Sequence, residues 1–352
     1  MRKALLLSIF LAPFLVIAQM PAYYSGINFN MSEASVKTQL ANLITVTHTT
    51  DFPYTSSSTD TWDLVKLTDE NPADNTQVLL FYGYDDTDGN TMTDYTRDKS
   101  SSCHTSGCIG LWTREHVYAK SIATPSLVTN SAGSGTDVHN LRACDGSMNS
   151  SRSNRIYTSG TGTAHIVNSN YWYPGDEWKG DVARIIMYMY LRYPTQCLAN
   201  NIGNSSNTYS TDMPDIFLQW NAEDPVTAYE TQRNTVLEAQ QGNRNPFIDN
   251  PYLATFIWGG TDAEDTWGTL GTTTVAIQNV QVYPTNVHTR LYISNVSNNQ
   301  YTAAVYTMQG QQTNLNLVNN SYINVNKLKD GIYILELQNT QGDSKTFKFV
   351  KN

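Results

Sequence analysis

The periodicity of the chain changes once, near Gly259-Gly260, and this change limits the fold more than any other feature. Before it, apolar residues recur at helical spacing. Val36, Leu40, Leu43 and Ile44 do so within 32–45, and Val182, Ile185, Ile186, Met189, Tyr190 and Tyr193 within 180–193. Ser32 is placed to cap the first helix and Pro194 to end the second. After the change come short β runs at 280–283, 290–293, 304–306, 322–325, 332–337 and 347–350, separated by turn signals such as Lys329-Asp330-Gly331. Strands of that length and spacing build a small sandwich. A chain of 352 residues can bury two cores. We therefore expect an α+β domain over 19–260, a linker rich in Gly, Thr and acidic residues over 261–274, and an all-β sandwich over 275–352.

Arg2-Lys3, an apolar run from Ala4 to Val16, and Val16-Ile17-Ala18 before Gln19 form a secretory signal peptide over 1–18. It is too short to span a membrane, and no later stretch is apolar over the necessary length. The four cysteines of an exported chain read first as two disulfides, with three pairings open. The short loop favours Cys103–Cys108, which leaves Cys144 with Cys197. Zinc on Cys103, His104 and Cys108 is the alternative, weakened by the lack of a CxxC pair.

Chemistry concentrates between residues 111 and 155. Leu111 to Val117 is an expected strand ending in Glu115-His116, Asp137 to Leu141 alternates as a second, and Ser147 to Arg155 opens a helix. Val78 to Tyr82 is a further run of buried-strand length. Neutral imidazole can take a proton from water, its ordinary pKa being about 6.5. A carboxylate suits a hard cation, and Arg can grip phosphate or offset charge developing in a transition state. The ordered set Glu115-His116, Asp137-Val138-His139-Asn140-Leu141-Arg142 and Asn149-Ser150-Ser151-Arg152-Ser153-Asn154 thus supplies the parts for metal-assisted phosphodiester cleavage. A net charge of −9 works against nucleic-acid binding, but a local strip from Arg142, Arg152 and Arg155 would suffice.

These motifs resemble the bacterial endonuclease I family of ββα-metal (His-Me finger) nucleases. Lys179-Gly180-Asp181-Val182-Ala183-Arg184 and Gln241-Gly242-Asn243-Arg244-Asn245-Pro246-Phe247 extend the likeness over roughly residues 22 to 258. The resemblance implies His116 as general base and Glu115 with Asn149 as ligands of Mg²⁺, with Ca²⁺ or Mn²⁺ as alternatives. It also implies a DNA or RNA substrate and 5′-phosphate products. Arg152, on the same helical face as Asn149, is expected to act on the phosphate; Arg142 and Arg155 are candidates for holding the strand. Asp137 and His139 are candidates for orienting the site from behind. Ala119 stands where the family commonly has Pro, a departure that bears on local rigidity alone.

The tail has its own likeness. Val282-Tyr283-Pro284-Thr285-Asn286, Leu328-Lys329-Asp330-Gly331-Ile332-Tyr333 and Phe349-Val350-Lys351 resemble a type IX secretion C-terminal sorting domain, with Thr285 a departure from the usual pattern. This implies type IX machinery as a partner and a secreted or cell-surface protein, expected to be monomeric. The rival reading is a non-catalytic surface or adhesion protein whose sandwich is a binding module.

Overall fold

The computed structural model describes residues 20–105, 107–268, 280–294, 301–313, 315, 317–318, 321–339 and 344–352. The expected signal peptide and residues 269–274 of the expected linker lie outside them. Two compact units divide between Gly268 and Thr269. No helix among the described residues is long and apolar enough to cross a membrane.

In the first unit, α1 (Glu33–Val46) buries Val36, Leu40 and Ile44, as its spacing predicts. Ser32 occupies the cap position without a side-chain cap bond. Next, α2 (Thr61–Thr68) is fixed by a capping box between Asp60 and Asp63. Strands β1 (Glu70–Asn71), β2 (Asp74–Leu79) and β3 (Thr96–Asp98) form an antiparallel sheet. The run expected over 78–82 leaves this sheet at Leu79, and Tyr82 takes a left-handed backbone with φ 72°.

The centre of the unit is an antiparallel pair, β4 (Trp112–His116) and β5 (Leu141–Asp145), with Glu115 opposite Arg142 and His116 opposite Leu141. Helix α3 (Gly146–Arg152) follows without a break because Asp145 ends β5 and caps α3, accepting from the amides of Ser147 and Met148. This is the ββα arrangement. Behind it lie β6 (Ile156–Tyr157), β7 (His165–Val167) and β8 (Tyr171–Tyr173), and then α4 (Lys179–Arg192). Helices α5 (Asp215–Glu223), α6 (Ala228–Gln241), α7 (Pro246–Asp249) and α8 (Tyr252–Trp258) complete the unit. All of α4 from Gly180 to Leu191 is buried, so it is a central helix rather than one with a single apolar stripe. Arg184, off the apolar stripe in sequence, is buried in an ion pair with Glu230 of α6 at 2.7 Å.

Two of the sequence expectations need correction here. The segment expected as a strand over Asp137 to Leu141 is a 3₁₀ turn at Val138–Asn140, with β5 starting only at Leu141. Asp137 accepts from the amide of His139, a local side-chain bond that competes with strand pairing. Cys144 and Cys197 are both free and buried, while Cys103 and Cys108 form the disulfide, which also excludes zinc on those two thiols. Cys144 sits on β5 among Glu115, Asp145 and Arg152, whereas Cys197 follows α4 near Tyr118 and Asp137; each thiol packs in its own part of the interior.

Residues 261–268 pack onto the first unit, with Ala263 and Trp267 buried and Trp267 against Tyr24. In the second unit one sheet runs Asn286–Val287, Ser344–Lys351, Gly331–Asn339, Tyr301–Thr307, Gln312–Thr313 in order across its width. The other runs Leu317–Val318, Tyr322–Asn324, Arg290–Ser294, Gln281–Tyr283. Leu291, Ile293, Val305, Ile323, Leu335 and Phe349 fill its core, giving the expected sandwich.

The register of β5 depends on ions far away in sequence. Asp69, at the end of α2, pairs with Arg142 of β5 and Arg233 of α6, and Arg233 donates to the carbonyls of Val138 and Leu141 at 2.5 and 2.6 Å. All three are buried. Asp69→Ala would leave Arg233 without a counter-charge and Arg142 with Asp181 alone, and we expect it to lower unfolding free energy by about 3–5 kcal/mol, measured by urea denaturation.

Candidate active site

Glu115 and His116 end β4, and Asn149 lies on α3, so the ββα turn carries all three to one cleft of about 460 Å³. Tyr54, Arg114, Lys120 and Asn154 complete its walls. His116 is held on two sides. Its ring stacks on Tyr54 with centroids 5.5 Å apart, and Nε2 lies 2.9 Å from the carbonyl oxygen of Gly135. A carbonyl only accepts, so Nε2 carries the proton and Nδ1 keeps the lone pair. Burial lowers the pKa of His116 to about 3, so the ring is neutral.

Glu115 is buried, and burial raises its pKa to about 7 against the opposing charge of Arg152. Arg152 Nη1 lies 3.2 Å from Glu115 Oε1, and the hydroxyl of Tyr82 donates to the same oxygen at 3.2 Å. Tyr82 in turn lies 2.8 Å from the hydroxyl of Tyr157, which donates to the carbonyl of Val117. Among the described residues, Oε2 has no hydrogen-bond donor. Asn149 donates its amide nitrogen to the carbonyl of Arg114 at 3.4 Å, which leaves Oδ1 available. Two such oxygens suit a hard cation that retains water and phosphate in its other positions, so the residues fit a Mg²⁺-type ion. Among the described residues there is no group of three or more His, Cys, Asp or Glu side chains that could hold a metal.

The other expected site residues divide. Arg152 borders the cleft, but its guanidinium is buried and donates to the carbonyls of His116 and Val117 at 3.0 and 2.7 Å. It supports the strand end from beneath, so the exposed phosphate clamp expected of it does not fit. Arg142 is a correction: it is fully buried against Asp69, Asp181 and Tyr229 and cannot reach a strand of nucleic acid. Asp137 and His139 turn toward α4. Asp137 accepts from the hydroxyls of Tyr188 and Tyr193 at 2.9 and 3.0 Å, and His139 packs against the ring of Tyr188 with the planes tilted by 37°. They brace the segment that follows Gly135 and do not touch the cleft. Arg155 lines a second cavity that adjoins it.

Tyr54, Tyr82, Gly135 and Tyr157 come from outside the run Leu111 to Ser121, so sequence gives no signal for them, whereas Arg114 and Lys120 lie within it. The adjacency of Arg114 and Lys120 to Glu115-His116 was the one available signal. Charge also gathers locally here. Among the described residues of the first unit, the Lys and Arg side chains without a carboxylate within ion-pair distance are Lys66, Arg114, Lys120 and Arg155. Three of these four border the cleft or its neighbour.

The fold and this cleft define a phosphodiesterase of the ββα type, and comparison with known proteins agrees. The chain belongs to the endonuclease I family, whose pattern matches residues 32–252, and residues 281–352 match the secretion system C-terminal sorting domain. It is 36% identical over 260 residues to an extracellular ribonuclease of Bacillus subtilis (strain 168), covering 70% of this chain and 82% of that protein. A second extracellular ribonuclease, from Bacillus amyloliquefaciens, is 38% identical over 214 residues, 57% of this chain and 68% of the relative. Endonuclease-1 of Buchnera aphidicola subsp. Baizongia pistaciae (strain Bp) is 29% identical over 126 residues, 32% of this chain and 46% of its own length. The protein is therefore an endonuclease, secreted or at the cell surface, and the non-catalytic adhesion reading gives way.

Gly135 has no room for a side chain, since the backbone of Val128 occupies the place of a Cβ. Gly135→Ala must move the carbonyl that holds His116. We expect nuclease turnover to fall on the order of 10²-fold, the cost of misplacing a reacting group by about 1 Å, with the circular dichroism spectrum unchanged.

Proposed function

We propose that the protein hydrolyses phosphodiester bonds of DNA, RNA or both with His116 as general base, leaving 5′-phosphate ends. The observation that carries this reading is the tautomer imposed by Gly135: the Nε2 proton is engaged by the carbonyl, and Nδ1 keeps the ring's lone pair. Nδ1 takes the proton of the attacking water. Stacking on Tyr54 and the bond to Gly135 restrict the ring to one orientation, so little reordering accompanies the transfer.

Glu115 and Asn149 would hold a divalent ion, Mg²⁺ in preference to Ca²⁺ or Mn²⁺, which when bound supplies a Lewis acid next to the scissile phosphate. Arg152 and Tyr82 fix Oε1 of Glu115 and leave Oε2 toward the ligand position. Lys120, exposed and without a carboxylate partner, draws the phosphate backbone into the cleft. Substrate choice is open on chemical grounds, since nothing in this arrangement requires a 2′-hydroxyl; the relatives' names include both ribonuclease and endonuclease. The 281–352 domain would serve as an address for type IX export, with residues 20–268 sufficient for catalysis.

Purified mature protein on plasmid DNA and on single-stranded RNA tests the reading. His116→Ala should lower kcat by about 10²-fold or more with little change in KM, the low end for loss of a general base. Glu115→Ala and Asn149→Ala should be inactive at ordinary Mg²⁺ concentrations, and chelator should silence the wild type; full activity after exhaustive chelation would rule out a metal. A chain ended after Gly268 should cleave at close to the full-length rate. If it folds and loses most of its activity, the tail takes part in substrate binding.

A further inference from the structure

A second cavity of about 380 Å³ opens beside the cleft, lined by Arg155, Ser169, Asn170 and Tyr171. Ser153 and Asn154 border both spaces, so the two adjoin. A strand leaving the cleft on that side runs into this recess. We infer that it is a nucleotide subsite, taking the base and phosphate next to the scissile linkage in an unpaired strand; the inference rests on the nuclease reading above.

Arg155 supplies the phosphate contact. Its Nε donates to the carbonyl of Ser169 at 3.0 Å and its Nη1 to that of Ser151 at 2.6 Å, and among the described residues no carboxylate neutralises it. Neutral carbonyls thus fix the guanidinium in place without using its charge. That arrangement differs from the other cleft-side arginine of this helix end, Arg152, which already has Glu115 as its counter-ion. An arginine held ready and unpaired, in a chain of net charge −9, suits an anionic ligand.

Tyr171 supplies the base contact. The strand β8 carries three aromatics in a row, and two of them are committed to packing: Trp172 meets Tyr82 and Tyr173 meets Trp220, both edge-on. Tyr171 is half-buried at the cavity wall, and among the described residues its ring has no aromatic partner and its hydroxyl no hydrogen bond. An aromatic face left open next to a phosphate-binding cation is how proteins hold single strands without reading sequence.

The hairpin between β7 and β8 shapes the recess. Its loop over 168–170 has positive φ at Asn168 and Ser169, as a tight hairpin turn requires, and delivers the carbonyl that anchors Arg155. A base must leave the duplex stack to enter such a recess, so the subsite favours single-stranded or frayed substrate.

Chain-length dependence tests this with the full-length protein and Mg²⁺. A trinucleotide offers two linkages, which carry the extra nucleotide on opposite sides. The wild type should cleave one of them with kcat/KM about tenfold or more above that of a dinucleotide, in line with one stacked base. In Arg155→Ala and Tyr171→Ala the trinucleotide-to-dinucleotide ratio should fall to near one, while Tyr171→Phe, which keeps the ring, should retain it. A wild-type ratio near one overturns the subsite, as does a ratio that survives both alanine variants, including by parallel loss of the two rates. A wild type that cleaves plasmid DNA or RNA but neither short substrate overturns the subsite alone, and one that cleaves none of these overturns the nuclease reading and the subsite with it.

Discussion

Arg152 holds the site together from below. Its buried guanidinium touches the carboxylate of Glu115 and the carbonyls of His116 and Val117, and stands over the ring of Tyr157 at 4.9 Å. It therefore ties the last turn of α3 to the last residues of β4, the two elements that carry Asn149 and the Glu115-His116 pair. A buried carboxylate without a counter-charge gives up its ionised form, and burial already pushes Glu115 up to about 7. The positive charge of Arg152 opposes that rise. The same cation sits too deep to meet substrate, so one residue sets both the geometry and the ionisation of the cleft without entering the chemistry.

An acidic chain can process a polyanion because its charges are spent unevenly. Arg142, Arg184, Arg233 and Arg244 are engaged with Asp69, Asp181, Glu230, Glu238 and Asp249 in the interior or at its edge. These pairs fix the packing of α2, α4 and α6 around β5 and contribute little field outside. Of the four cations left over among the described residues of the first unit, three gather by the cleft and its neighbour: Arg114, Lys120 and Arg155. Net charge reports the sum, whereas substrate meets the local distribution.

How far the site was legible in sequence follows from where each residue's partners lie. Glu115, His116 and Asn149 were legible because one compact β-β-α unit supplies all of them, and their order along the chain is their order in the fold. Three arginines within fourteen positions, Arg142, Arg152 and Arg155, had equal standing in sequence and took three different roles. Asp69, Asp181 and Tyr229 decide the role of Arg142, and each comes from a separate element. Alternation in Asp137-Val138-His139-Asn140-Leu141 resembled a strand, yet Asp137 bonds to the amide two residues on and turns the chain. Tyr82 and Tyr157 gave no sign, since a tyrosine in an apolar run reads as core and both are in fact core, with only a hydroxyl facing function. In the tail, short β runs were enough, because a sandwich needs little beyond alternation and turns.

Support by packed tyrosines and arginines has a consequence for how this nuclease works. Tyr82 reaches Glu115 from a left-handed backbone, His116 depends on a glycine carbonyl nineteen residues on, and Asn149 depends on the carbonyl of Arg114. None of these contacts is made by a flexible surface side chain. The polar groups are thus oriented before substrate arrives, and their order was set during folding, when burial of the surrounding core offset its entropic cost. A strand entering the cleft meets fixed oxygens and a fixed ring, so the binding free energy from each phosphate and base goes to aligning the substrate rather than the enzyme.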